Sequence, residues 1–184
     1  QQFFLFVDEM LKAHEISIED LEAILVSGGP GSYTGLRISA SAVKGLLFQS
    51  EVKLFAANTL AGFAFSAVDA NPKLTGIHSI IDARRVHVYH QVFEYSSGII
   101  YGKNEVKVTP IEEFEQILKQ GEAVIGTGLK RIEQKKLTEV IVFDSSHISA
   151  RSLFKMFDED QSQKFIREED PRKFDPKYYM SSQV

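Results

Sequence analysis

A two-lobed α/β fold is what this sequence predicts, and three observations predict it. Short aliphatic runs of strand length alternate with segments whose apolar residues recur at helical spacing. The first of those runs stops in a glycine loop that opens a helix. The polar stretch Ala70-Asn71-Pro72-Lys73 then divides this first set of elements from a second set richer in alternating strands. One lobe is expected over residues 1–70, incomplete and rejoined by the tail at 171–184, and the other over residues 74–165.

Each element has its own justification. In residues 2–13, Phe3, Phe6, Val7 and Met10, with Phe4 and Leu11 offset by one, cover more than the stripe a single core contact needs, so this helix is expected to meet two partners. Ser17-x-x-Asp20 is a capped turn. Residues 21–26 form an aliphatic strand ending at Ser27-Gly28-Gly29. Over residues 34–49, Leu36, Ala40, Val43 and Leu47 recur at helical spacing, with Gly45 the only weak former inside. A short strand at 52–56 and an Ala-rich helix at 59–68 complete the first set.

Beyond the connector, residues 76–82 and 85–95 alternate as two strands, the second with Val86, Val88, His90 and Val92 on one face and His87, Tyr89 and Phe93 on the other. Ser96-Ser97-Gly98 turns the chain into a further strand at 99–108, giving an antiparallel meander. Thr109 and Pro110 start a helix to residue 118, strands follow at 123–125 and 140–143, and a helix at 149–157. Residues 158–177 mix both charge signs around Pro171 and Pro176 and read as a solvated tail.

Composition narrows the chemistry. With 184 residues and 43% hydrophobic content the chain can bury a real core. A net charge of -4 argues against a surface built to neutralise many phosphates. The absence of cysteine excludes thiol nucleophiles, disulfides and cysteine zinc sites, and fits a reducing, cytoplasmic setting. No apolar run is long enough to span a membrane, and the start lacks the pattern of a secretory signal. A helix beginning at once, without an initiator Met, leads to the expectation that residues precede Gln1.

The glycine loop is the strongest chemical candidate, because strand, glycines and helix N-terminus in that order can present backbone N–H groups to an anion. Gly29, Gly31, Ser32, Thr34, Gly35 and Arg37 are its candidate ligand residues. It matches no standard phosphate loop: Thr34-Gly35-Leu36-Arg37 lacks the Walker lysine, Thr34 stands where a dinucleotide fingerprint needs glycine, and Pro30 breaks the hydrolase elbow around Ser32. Asp82 and Arg84, at a strand end, are a second candidate site. His14, His78, His87, His90 and His147 show no ligand spacing, so no metal is expected.

The full string Gly29-Pro30-Gly31-Ser32-Tyr33-Thr34-Gly35-Leu36-Arg37-Ile38-Ser39 resembles the signature of the TsaB (YeaZ) family. Lys44-Gly45-Leu46, Asn58-Thr59-Leu60, Ile81-Asp82-Ala83-Arg84, Gly126-Thr127-Gly128 and Asp175-Pro176-Lys177-Tyr178-Tyr179 extend the likeness in order along the chain. Two features depart from it. The family begins with a β-strand and hairpin that precede the first helix here, and its Pro-x-Tyr-Leu-Arg tail is replaced by Tyr179-Met180.

The resemblance implies the two-lobed fold of actin, sugar kinases and Hsp70. It also implies a non-catalytic subunit required for threonylcarbamoyl transfer to N6 of adenosine 37 in tRNAs that read codons starting with A. Its partners would be a TsaD-type catalytic subunit and a TsaE-type ATPase, with a homodimer in isolation, tRNA engaged indirectly and no membrane. No cofactor would be bound by this chain alone, and ATP or ADP would be the candidate nucleotide at the interface shared with TsaD. The partner face would comprise Phe3, Phe6, Val7, Met10, Leu36, Ser39, Ala40 and Val43. The alternatives are an independent ATP-binding phosphotransferase or peptidase of the actin-like superfamily, and a homodimeric interaction protein.

Overall fold

Two sheets each combine strands that are distant in sequence with others that are neighbours, and a computed structural model describes them over residues 2–158 and 164–179. The first sheet has the order β1-β2-β9, from β1 (Ala23–Ser27), β2 (Lys53–Ala57) and β9 (Ile166–Glu169). β1 and β2 are parallel, with Ala23 opposite Lys53, so a crossover must join them, and α2 (Tyr33–Leu46) supplies it. Ala40 and Val43 of α2 and its C-cap Leu47 pack over Leu54 and Ala56 on one face, with Ile24 and Val26 of β1 beside them. α1 (Gln2–Ala13) precedes this unit, and a turn at Ile18–Asp20, closed by reciprocal hydrogen bonds between Ser17 and Asp20, joins the two.

The second sheet runs β5-β4-β3-β7-β8, with β6 also paired to β4. Its strands are β3 (Gly76–Asp82), β4 (His87–Ser96), β5 (Ile99–Gly102), β6 (Lys107–Pro110), β7 (Ala123–Gly126) and β8 (Ile141–Phe143). β3, β4 and β5 form an antiparallel meander, while β7 lies parallel to β3 and β8 parallel to β7. α4 (Ile111–Ile117) covers one face through Phe114, which meets Ile80, Val88 and Val124. α5 (Gln134–Leu137) precedes β8, and α6 (Arg151–Asp158) follows it.

α3 (Thr59–Ala70) joins the two halves. Its buried residues run from Leu60 to Ala67 without a polar face, the pattern of a helix enclosed on all sides. Sequence order places it in the first lobe, but its packing partners include Ile77, Phe93 and Ile125 of the second sheet and Met156 of α6. The N-cap Asn58 accepts from the backbone N–H groups of Leu60 and Ala61, and its Nδ2 donates to Gln91 Oε1 at 2.8 Å, which ties the start of α3 to β4. Gly126, at φ 139°, lies against the backbone of Ile80, where a side chain has no room.

Two expectations are corrected by this architecture. The strand expected over 99–108 is two strands, because Asn104 turns inward: its Oδ1 accepts from Val92 N–H and its carbonyl from Gln91 Nε2. Part of the stretch expected to be a solvated tail is β9, antiparallel to β2 with Leu54 opposite Glu169. Beyond β9, Phe174 is buried in the core of the first sheet. Residues 159–163 and Met180, with the four residues after it, lie outside the described residues. Among the described residues no helix is long and apolar enough to cross a membrane.

Candidate docking face and adjoining cleft

The glycine loop is shaped by what passes over it. Gly29 adopts φ 111°, and a Cβ there would collide with the backbone carbonyl of Lys177. The tail crosses at this point, with Lys177 N–H donating to Gly28 O at 2.8 Å, while Gly29 O accepts from Thr59 N–H at 3.0 Å. The glycines therefore admit the tail on one side and the start of α3 on the other. Ser32 caps α2, its hydroxyl accepting from Gly35 N–H at 3.4 Å.

From Ser32 onward α2 divides into two faces. Leu36, Ala40 and Val43 are only 6%, 7% and 4% exposed. These three residues, expected on a partner face, are buried within this chain and have little area exposed. A helix crossing between β1 and β2 must cover the sheet with one stripe; Ala40 and Val43 lie in that stripe, while Leu36 sits against Gly31 at the cleft. The outward side carries Thr34, Arg37, Ile38 and Ser41, with Ile38 58% exposed and Ser39 half-buried. Phe3 and Phe4 of α1 lie beside it, and together these side chains border an open groove of about 480 Å³.

α1 contributes most of the exposed apolar surface. Phe3, Phe4, Leu5 and Met10 are exposed, Phe6 is 68% exposed, and Val7 and Leu11 are half-buried. Phe3 and Phe4 meet edge to face at 5.6 Å. Contiguous apolar surface of this kind marks an interaction face rather than ordinary surface.

The two candidate ligand sites converge. Gly31, Ser32 and Tyr33 at the start of α2 face Asp82 and Arg84 at the end of β3 across a cleft of about 600 Å³, whose remaining wall is made by Leu36, Tyr89 and the tail. Asp82 accepts from Arg84 N–H at 2.7 Å and from Arg131 Nη1 at 3.1 Å, so its charge is already matched. Arg131 also donates to the carbonyl of Arg85, which fixes the turn. Tyr178 of the tail packs against Tyr33 at 5.2 Å and Tyr89 lies 6.4 Å from Tyr179. Desolvation, with Asp175 adding to it, raises the Tyr178 phenol above its ordinary value.

Thr34, Gly35 and Arg37 do not line this cleft; Thr34 and Arg37 open onto the groove instead. Arg37 Nη1 donates to Tyr33 Oη at 2.7 Å, and its guanidinium sits 5.4 Å above the Tyr33 ring. Among the described residues no group of three His, Cys, Asp or Glu comes together as a metal site.

The family model described as "TsaD: tRNA N6-adenosine threonylcarbamoyltransferase" matches residues 1–147. The chain belongs to this family, within its TsaB (YeaZ) group. It is 34% identical over 96 residues to the tRNA threonylcarbamoyladenosine biosynthesis protein TsaB of Bacillus subtilis, a match covering 51% of this chain and 40% of that protein. Against the TsaB protein of Escherichia coli it is 31% identical over 132 residues, 70% of this chain and 57% of the other. The chain spans about half the length of these relatives. In structure it is similar to YeaZ from Pseudomonas aeruginosa, with a TM-score of 0.74 at 21% identity over 97% of this chain and 84% of that one. The actin-like two-lobed fold of the group is thus the fold of this chain.

Sequence reasoning missed Tyr89 as a cleft residue, Arg131 as the partner of Asp82 and Ile38 as the outward apolar position of α2. Arg131 carried no local signal, since its partner Asp82 is 49 residues away. Ile38 did carry one: it is offset by two from Leu36 and so lies off the inward stripe.

Proposed function

We propose that this chain is the accessory subunit of a two-chain assembly that transfers a threonylcarbamoyl group to N6 of adenosine 37 in tRNAs reading codons that begin with A. It acts by docking a TsaD-type catalytic subunit on the outward face of α1 and α2. The observation that carries this reading is the apolar groove between Phe3, Phe4 and Ile38, open to solvent beside the exposed Phe6 and Met10. Burying such surface yields roughly 25 cal/mol per Å² before association costs are subtracted.

The choice of occupant rests on relatedness. The model that matches this chain carries the name of the transferase itself, so a catalytic subunit of that kind would bear the counterpart of α1 and α2. Two chains with the same helical pair can meet in a pseudo-symmetric contact, each offering the same face. A second copy of this chain is the competing occupant, and a TsaE-type ATPase would join the assembly elsewhere. The acidic balance of the chain is consistent with tRNA being held by the partner.

The test is co-purification of the chain with a TsaD-type subunit, combined with mass in solution. Phe6→Asp with Ile38→Arg is expected to abolish the complex while leaving thermal stability unchanged, because both side chains face solvent. Retention of the complex by the double variant sinks the proposal. A dimer of this chain that persists in the presence of the catalytic subunit, with no mixed species, assigns the face to self-association instead.

A further inference from the structure

We propose that Arg37 selects the occupant of the docking groove: it anchors a carboxylate carried by a different protein, and it disfavours a second copy of this chain. The inference rests on the docking reading above and adds the chemistry of the contact.

Among the described residues, the groove is bordered by aromatic, aliphatic and hydroxyl side chains and by a single charged group, the guanidinium of Arg37. Arg37 is exposed and makes no ion pair among the described residues. Asp175 of the tail acts on it only weakly through space.

The guanidinium is nonetheless held in place. Tyr33, four residues earlier and so on the same side of α2, accepts a hydrogen bond from Nη1 at 2.7 Å, and its ring centre lies 5.4 Å from the guanidinium carbon. Tyr33 is in turn braced by the tail ring of Tyr178, 5.2 Å away. Holding a long side chain before the partner arrives removes part of the ordering cost of association. The bond to Tyr33 engages Nη1, which leaves Nε and Nη2 to meet a carboxylate through two parallel hydrogen bonds. Lysine has no such fork.

Self-association sets the same groove opposite itself, because a two-fold contact uses one patch on both subunits. Each Arg37 would then lose water against a groove that offers it no carboxylate. On α1, Asp8 is bonded to Lys12 at 2.7 Å, and Glu9 does not border the groove. Burying a charge without a partner opposes binding, whereas a matched carboxylate across the contact offsets the lost hydration. One residue thus acts with opposite sign on two equilibria. It favours a partner with Asp or Glu at the facing position and penalises a copy of this chain.

The experiment measures both equilibria for the natural chain and for Arg37→Lys, Arg37→Gln and Arg37→Glu: calorimetry with a TsaD-type subunit, and sedimentation equilibrium of the chain alone. Because the position is exposed, melting temperatures are expected to match that of the natural chain. In the mixed complex, Arg37→Gln is expected to weaken binding about 30-fold and Arg37→Glu about 300-fold, while Arg37→Lys, which keeps the charge without the fork, weakens it about five-fold. Self-association of Arg37→Gln is expected to strengthen about ten-fold. A substitution that merely damages the face would weaken both equilibria, so opposite directions are the signature. The inference is overturned if Arg37→Glu leaves the mixed complex unchanged, or if Arg37→Gln gains no self-association. Failure of the natural chain to form the mixed complex overturns the docking reading itself, and this inference with it.

Discussion

Tyr33, the first residue of α2, packs against Tyr178 of the tail with ring centroids 5.2 Å apart, and in doing so becomes the shared wall of the docking groove and the interior cleft. The contact closes a loop that begins at the glycine turn and returns from the far end of the chain. Replacing Tyr178 by Ala is expected to release this corner at a cost of about 1 kcal/mol beyond lost area, the usual worth of an aromatic pair. Thermal unfolding should register the loss, and limited trypsin digestion should cut sooner at Lys173 or Lys177. An unchanged digestion pattern would show that the tail is held without the ring contact.

A second prediction separates backbone strain from steric collision. Gly29 and Gly98 both have positive φ, but only Gly29 faces another part of the chain, the carbonyl of Lys177, whereas nothing lies within 4 Å of a Cβ at Gly98. Gly98→Ala should therefore cost only the conformational penalty, about 1 kcal/mol. Gly29→Ala should cost several times more and should detach the tail, removing the hydrogen bond from Lys177 N–H to Gly28 O. Chemical denaturation of the two variants compares them directly. Equal effects would mean that the tail does not depend on the close approach.

The buried histidine of β4 makes stability depend on pH. Burial first, then the neighbouring His78 and Lys107, push His90 down from its ordinary 6.5 to about 4. Above pH 6.5 the residue is neutral in both states. As pH falls from 6.5 towards 4, the unfolded chain takes up a proton that the folded chain refuses, so stability is lost across this window and levels off below it. The loss attributable to His90 is about 3 kcal/mol. Urea unfolding at pH 7 and pH 4 should show a smaller difference for His90→Leu than for the natural chain by roughly that amount. Equal pH dependence of the two proteins would remove His90 as the cause.

Most of the element order could be read from the residues. The helix over 2–13, the turn closed by Ser17 and Asp20, the parallel strands on either side of α2 and the meander after residue 76 all have short-range signals in period, caps and glycines. β9 had none. Ile166-Arg167-Glu168-Glu169 is charged because β9 is an edge strand, and only its pairing with β2 identifies it. Ile38 stood off the inward stripe of α2 in the period itself, but only the fold sets Phe3 and Phe4 of α1 beside it.

The sequence by itself determined what each segment can become: the strand-loop-helix unit around Gly29, the apolar, Ala-rich α3, the aromatic excess of α1, and membership of a family through an eleven-residue string. Tertiary structure decided which segments meet. It carried Leu36, Ala40 and Val43 inward, brought Asp82 and Arg84 opposite Gly31 and Ser32, and laid Tyr178 on Tyr33. The physical reason is range. Caps, turns and periodicity are interactions between residues a few positions apart and are written locally, whereas a cleft between two sheets exists only after long loops have closed, and loop closure leaves no mark on the residues it joins.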